Sequence, residues 1–173
     1  MEVFVPKEIE LFDSLLDYDA TAKKVKYFFK QPRNKVPKFE RLYTQAGISD
    51  ADLKSPTLSA DKVQASADQN SAEQKMMTIM MAKEKLAAIL AVIEGMETVK
   101  GRIMKLYYIQ GYSDRQVMSA VGYGESRYRD FKTTAAVVFA ESLAARNVGI
   151  NLTRYVVNDE KIPENEEKST KTD

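Results

Sequence analysis

Gly-Tyr-Ser-Asp-Arg-Gln-Val-Met-Ser-Ala-Val-Gly-Tyr-Gly-Glu-Ser-Arg-Tyr, Gly111 to Tyr128, is the stretch on which the fold turns. Ser113 stands three residues before Gln116. At that spacing a serine hydroxyl accepts from a backbone N–H of the first helical turn while the glutamine reaches back to the serine N–H. About two turns of helix follow, with Val117, Ala120 and Val121 inward. Gly122 falls where a left-handed residue ends such a helix, Tyr123 fills the turn, and Gly124 precedes a longer helix from Glu125 to about Ala145. In that helix Tyr128, Phe131, Ala135, Val138, Phe139 and Leu143 recur as a buried stripe. Ser126, Asp130, Thr133 and Val137 are left on the opposite side, flanked by Arg127, Arg129 and Thr134. A short capped helix, a glycine turn and a longer helix with basic flanks make a helix-turn-helix, whose second helix enters a major groove of DNA. A plain helical hairpin with a charged face fits the same spacing, so the pattern alone leaves both readings open.

Upstream, a helix over Thr98 to Gln110 carries Val99, Ile103, Leu106, Tyr107 and Ile109 and stops at Gly111. Before it, Met76 to Met96 holds no proline and no glycine until Gly95, with Ser71 as a candidate N-cap. Ile79, Leu86 and Ile93 fall seven apart with Ala82, Ile89 and Met96 between them, an apolar seam suited to a partner helix in the same chain or in a second copy. Met76, Met77, Met80 and Met81 read as adaptable packing rather than a soft-metal site. Residues 47–70 have linker composition, and residues 158–173 bury too little apolar area to fold alone, so an acidic disordered tail is expected. From Lys7 to Lys30, Ile9, Phe12, Leu15, Leu16, Val25, Phe28 and Phe29 predict one or two amphipathic helices ended by Pro32, and a short basic helix begins near Pro37. Ile150 to Val157 is a short apolar segment that can add to the core. The expected class is all-α: a helical, basic N-terminal region (residues 1–46), a linker (47–70), a helix-turn-helix domain (71–157) and a tail (158–173).

The 173 residues include no histidine and no cysteine, which excludes Ser-His-Asp and Cys-His nucleophile systems, imidazole or thiolate zinc sites and disulfides. No cofactor and no metal site is expected, and enzymatic activity is the least supported class. The longest apolar run, Ala87 to Ile93, is too short to span a bilayer, so no membrane partner and a cytoplasmic location are expected. The net charge of +1 hides segregation: residues 21–43 carry eight bases against Glu40 alone, and residues 100–134 carry seven bases against Asp114, Glu125 and Asp130. Local rather than total charge sets the surface potential, so both segments are candidates for polyanion contact or, equally, solvated helix faces. In the first, Lys23, Lys24, Lys26, Lys30, Arg33 and Lys35 are interleaved with Tyr27, Phe28, Phe29 and Phe39, whose periodicity buries most of the rings.

The run Gly111 to Tyr128, together with Phe131, Lys132, Ala135 and Phe139-Ala140-Glu141, resembles the C-terminal part of the ArpU-type phage transcriptional regulators. That family is itself similar to region four of bacterial sigma factors, which reads a promoter element. The preceding Ala72 to Gln110 follows the same family pattern. Two positions depart from it: Gly124 stands where the family has a serine cap, and Arg127 where a small residue follows Glu-Ser. The resemblance implies a sigma region four-like domain and regulation, as an activator, of late phage or prophage genes in a bacterial host. Its partners would be double-stranded late-promoter DNA and host RNA polymerase; a homodimer would rest on the apolar seam between Met76 and Met96. Arg127 and Arg129 are suited to a guanine edge or to phosphates, Ser126 and Thr133 to base or backbone, and Arg115 to a phosphate where the first helix crosses the strand. Lys132 adds positive charge, and Asp130 can accept from a cytosine amine or orient an arginine. The basic N-terminal segment is a second candidate DNA or polymerase contact. Two other classes stay open: a small terminase-like DNA-packaging subunit and a helical interaction module that does not bind DNA.

Overall fold

The structure is a computed structural model that describes residues 15–32, 34–56, 58–65 and 73–156. It is all-α. Helices α1 (Tyr18–Phe29) and α2 (Lys38–Gln45) are followed by two short ones, α3 (Asp50–Lys54) and α4 (Ala60–Ala65). The long α5 (Glu73–Gly95) leads into α6 (Thr98–Ile103), which continues as a π-helical stretch Met104–Ile109, and the chain then forms α7 (Asp114–Val121) and α8 (Glu125–Ala145). The candidate cap Ser71, Arg33, the N-terminal positions Ile9 and Phe12 and the tail 158–173 lie outside the described residues.

Local chemistry accounts for the ends of these elements. Asp17 caps α1 by accepting from the Ala20 N–H at 2.8 Å. Pro37 opens α2, where its fixed φ suits a helix start and no N–H is lost. Between α5 and α6 the chain doubles back so tightly that a Cβ on Gly101 would lie 2.9 Å from the Ile93 carbonyl oxygen. Only glycine lets the two helices approach this closely.

The expected uninterrupted helix over Thr98 to Gln110 differs from what forms. From Met104 the turns widen, and the Gln110 N–H reaches back five residues to Lys105. The wider turn brings three consecutive side chains, Tyr107, Tyr108 and Ile109, into the interior together, which a regular α-helix facing one core would not do.

The N-terminal helices are bolted to the π-helical stretch and to α8 rather than set apart from them. Phe29 is the bolt: its ring lies 5.1 Å from Phe28, 4.8 Å from Phe39, 5.0 Å from Tyr108 and 5.5 Å from Phe139, joining α1, α2, the π-helical stretch and α8. Burying a phenylalanine is worth about 2–3 kcal/mol, and paired rings add about 0.5–1.5 kcal/mol. The chain after α8 closes the same joint. Arg154 accepts from the Asp17 N–H at 2.8 Å, Val156 donates to the Leu15 carbonyl at 2.6 Å, and the buried Thr21 hydroxyl accepts from the Arg154 N–H at 2.9 Å. Leu152, in the apolar segment expected to add to the core, is buried there.

Two sequence expectations need correction. Residues 47–65 are not an open linker: Ser49 and Asp52 form a capping box that starts α3, Leu53 and Val63 are buried, and α4 packs along α5. Few apolar residues sufficed because Leu53 and Val63 are buried and Ile48, Leu58 and Ala60 pack against the core. Val137, placed on the outer side of the last helix, is 1% exposed. Helix α8 is packed by α1, α5 and α6, and with Ala135, Ala136, Phe139 and Ala140 also buried, the outward line of the helix start does not continue past Thr133.

Candidate nucleic-acid interface

The pair α7 and α8 is built as its local signals require. Ser113 and Gln116 close the capping box, the Ser113 N–H donating to the Gln116 side-chain oxygen at 2.9 Å and the Gln116 N–H to the serine hydroxyl at 3.4 Å. Gly122 ends α7 in the left-handed region at φ 76°, its N–H donating to Met118 at 2.9 Å. A side chain there would meet the Cβ–carbonyl clash that keeps other residues out of this region. Gly124 has an ordinary extended φ of −69° and serves α8 as an N-cap without a side-chain hydrogen bond.

At the start of α8 the helical repeat sets Ser126 and Asp130 on one outward line, with Arg129 and Arg127 on either side of it. All four are exposed, as is Arg115 in the first turn of α7. Thr133 continues the line but is half-buried. Arg129 is tied to Glu125 one turn earlier at 2.6 Å, and the Arg127 guanidinium lies 5.6 Å from the ring centre of Tyr123 in the turn. The Tyr123 ring is itself stacked on Phe131 at 5.0 Å, so Arg127 rests on a braced ring. Both arginines are therefore held near the helix start while remaining open to solvent.

Lys132 is placed differently from the other residues of the expected surface. It follows Tyr128 by four positions and so lies along the buried line of the helix. Its ammonium is 2.6 Å from the Asp114 carboxylate and 3.5 Å from the centre of the Tyr107 ring. The Tyr128 hydroxyl donates to the same carboxylate oxygen at 2.7 Å, and Lys30, from the end of α1, sits 3.6 Å from the centre of the same Tyr107 ring. Asp114 thus holds α7 to α8, and Tyr107 gathers one cation from each end of the chain. The spacing from Tyr128 was the signal that assigns Lys132 to this junction. Nothing in the sequence brings Lys30 to it.

The junction's ionisations follow from these contacts. Burial pushes Asp114 up, but hydrogen bonds from Lys132 and Tyr128 and the charges of Lys132 and Lys30 outweigh it, leaving its carboxyl below the usual range. Burial, reinforced by the bond to Asp114, pushes the Tyr128 hydroxyl well up, so it stays a donor at any physiological pH. Burial and then the neighbouring Lys132 charge lower Lys30.

Of the basic N-terminal segment, Lys23, Lys26 and Lys35 are exposed, whereas Lys24 is half-buried and Lys30 is engaged on Tyr107. Phe28, Phe29 and Phe39 are buried, as their periodicity required, and Tyr27 faces outward. Among the described residues no cluster of three or more acidic side chains could hold a metal ion, and no helix is long and apolar enough to cross a membrane. Set against protein-family models, curated proteins and solved structures, the chain matches none.

Proposed function

We propose that the protein is a sequence-specific double-stranded-DNA-binding regulator that places the start of α8 in a major groove. The observation that carries this reading is the exposed set Ser126, Arg127, Arg129 and Asp130 on the first turns of a helix that begins at a glycine turn after a capped helix. Arginine matches the acceptor pair of guanine, serine either partner, and aspartate the cytosine amine, so the set holds both donors and acceptors for base edges. Arg115, on the helix that would cross the strand, supplies a phosphate contact. With the resemblance to ArpU-type regulators, the target is a late promoter of a phage or prophage, the effect is activation, the setting is the bacterial cytoplasm, and host RNA polymerase is the protein partner. Met77, Met80 and Met81, exposed at the start of α5, are where a second copy would dock.

The test is footprinting on late-promoter DNA with and without host RNA polymerase. Wild type protects a discrete site, which polymerase extends. Arg127→Ala with Arg129→Ala abolishes the protection while far-UV circular dichroism stays unchanged. A double variant that footprints like wild type refutes the assigned surface. Absence of DNA binding even at low salt refutes the function.

A further inference from the structure

Away from the helix-turn-helix surface, α1, the beginning of α2 and the chain after α8 border an open cleft of about 350 Å³ whose wall includes the half-buried Lys24 and Gln31, the buried Phe28 and the exposed Tyr27, Lys38 and Asn151. That size lies at the lower end of the range of about 300–1,000 Å³ found for small-molecule sites.

Its charges are of one sign. Lys24 is half-buried, and its ammonium is held below the usual lysine value by burial and then by the charges of Arg154 and Lys38. Among the described residues none of these three cations pairs with a carboxylate, whereas Lys54, Lys100, Arg129 and Lys132 each have one within 2.8 Å. Lys24, with Lys38 beside it in the cleft wall and no carboxylate paired to either among the described residues, leaves a site that an anion relieves.

The neutral groups are partly spent, and what remains of them is specific. The Asn151 side-chain oxygen already accepts from the Thr153 N–H at 3.0 Å and the Thr153 hydroxyl at 2.6 Å, so its NH2 is left to donate. The Gln31 NH2 donates to the Tyr27 carbonyl at 2.9 Å, so the Gln31 oxygen is left to accept. Tyr27 and Phe28 give the wall flat apolar surface. The complement of these groups is a small molecule with an anionic head, a flat body and a hydrogen-bond donor on its edge.

We propose that this cleft binds a nucleoside monophosphate, with its phosphoryl group held by Lys24 and Lys38 and its base lying along Tyr27 and Phe28. The occupant would bridge α1 and the chain leaving α8, so the regulator would carry a ligand site on the joint that holds the DNA-reading helix.

Isothermal titration of the full chain with adenosine monophosphate, inorganic phosphate and adenosine tests this. Adenosine monophosphate binds best of the three, because it alone supplies both head and body. Lys24→Gln and Lys38→Gln each weaken it by roughly tenfold, the loss expected for one charge-assisted hydrogen bond, with helix content unchanged. Lys62→Gln, which removes an equal charge on α4, leaves it within about twofold, inside the range of surface substitutions. No heat with any of the three compounds, or equal affinity in the two cleft variants, overturns the proposal. Displacement of bound nucleotide by duplex DNA of unrelated sequence, with only the duplex sensitive to Lys24→Gln and Lys38→Gln, also overturns it and assigns the cleft to the DNA backbone.

Discussion

Replacing Asp114 with asparagine keeps the size of the side chain and removes the charge on which the α7–α8 junction converges. The Lys132 ammonium, 2.6 Å away and with its side chain 21% exposed, faces a carboxylate whose side chain is 52% exposed. For such a partly screened pair the loss is about 1 kcal/mol, the upper end of the range for surface pairs. The Tyr128 hydroxyl keeps an acceptor at 2.7 Å but a neutral one, which forfeits about half of a charge-assisted bond, roughly 0.5–1 kcal/mol. A negative charge at the first position of α7 adds about 0.5 kcal/mol through the helix dipole. Together the substitution costs about 2 kcal/mol, which for a chain of this length lowers Tm by about 4–8 °C. Thermal and urea unfolding followed by circular dichroism measure it. A cycle with Lys132→Met isolates the ion pair, expected at about 1 kcal/mol of coupling. The sign with pH is set by the lowered folded-state value of Asp114. Its contribution is complete above the unfolded value of about 3.9 and is lost as pH falls through the folded value, so wild type and Asp114→Asn converge below about pH 4. A variant within 0.5 kcal/mol of wild type at pH 7, with no coupling to Lys132, would refute the account of this junction.

Gly122→Ala, at φ 76° with nothing within 4 Å of the added Cβ, costs only the backbone strain, about 1–2 kcal/mol in urea unfolding. Gly124→Ser, at an ordinary φ, stays within about 0.5 kcal/mol of wild type, since glycine and serine differ little as N-caps. If α1 lies on the DNA backbone, Lys23→Gln with Lys26→Gln makes the slope of log affinity against log salt shallower by about 2. An unchanged slope removes α1 from the interface.

Much of the α7–turn–α8 segment was legible because its determinants are local. Ser113 and Gln116, three residues apart, specify the start of α7, and Gly122 its end, whatever packs around them. The exposed face Ser126, Arg127, Arg129 and Asp130 follows from the same repeat, since Tyr128 on the opposite side must be buried. Lys132 was legible in principle, four residues from Tyr128, yet charge alone suggested a surface role. Val137 was not. It continues the line of Ser126, Asp130 and Thr133, and its burial depends on the helices packed around α8. Residues 47–65 show the limit of composition as a guide, because Leu53 and Val63 are few but both find the core.

The sequence by itself determined the all-α class, the caps and glycine turn of the candidate reading head, and the absence of histidine and cysteine chemistry. These rest on hydrogen bonds and periodicities within about one turn of each residue. Only the tertiary structure decided that Phe29 locks the N-terminal helices onto Tyr108 and Phe139. It likewise decided that Lys30 and Lys132 share the Tyr107 ring, and that Lys24 feels the charges of Lys38 and Arg154 with no carboxylate paired to it among the described residues. These groups come from opposite ends of the chain, and what joins them is the burial of aromatic surface, which is non-directional and carries no signature in local spacing.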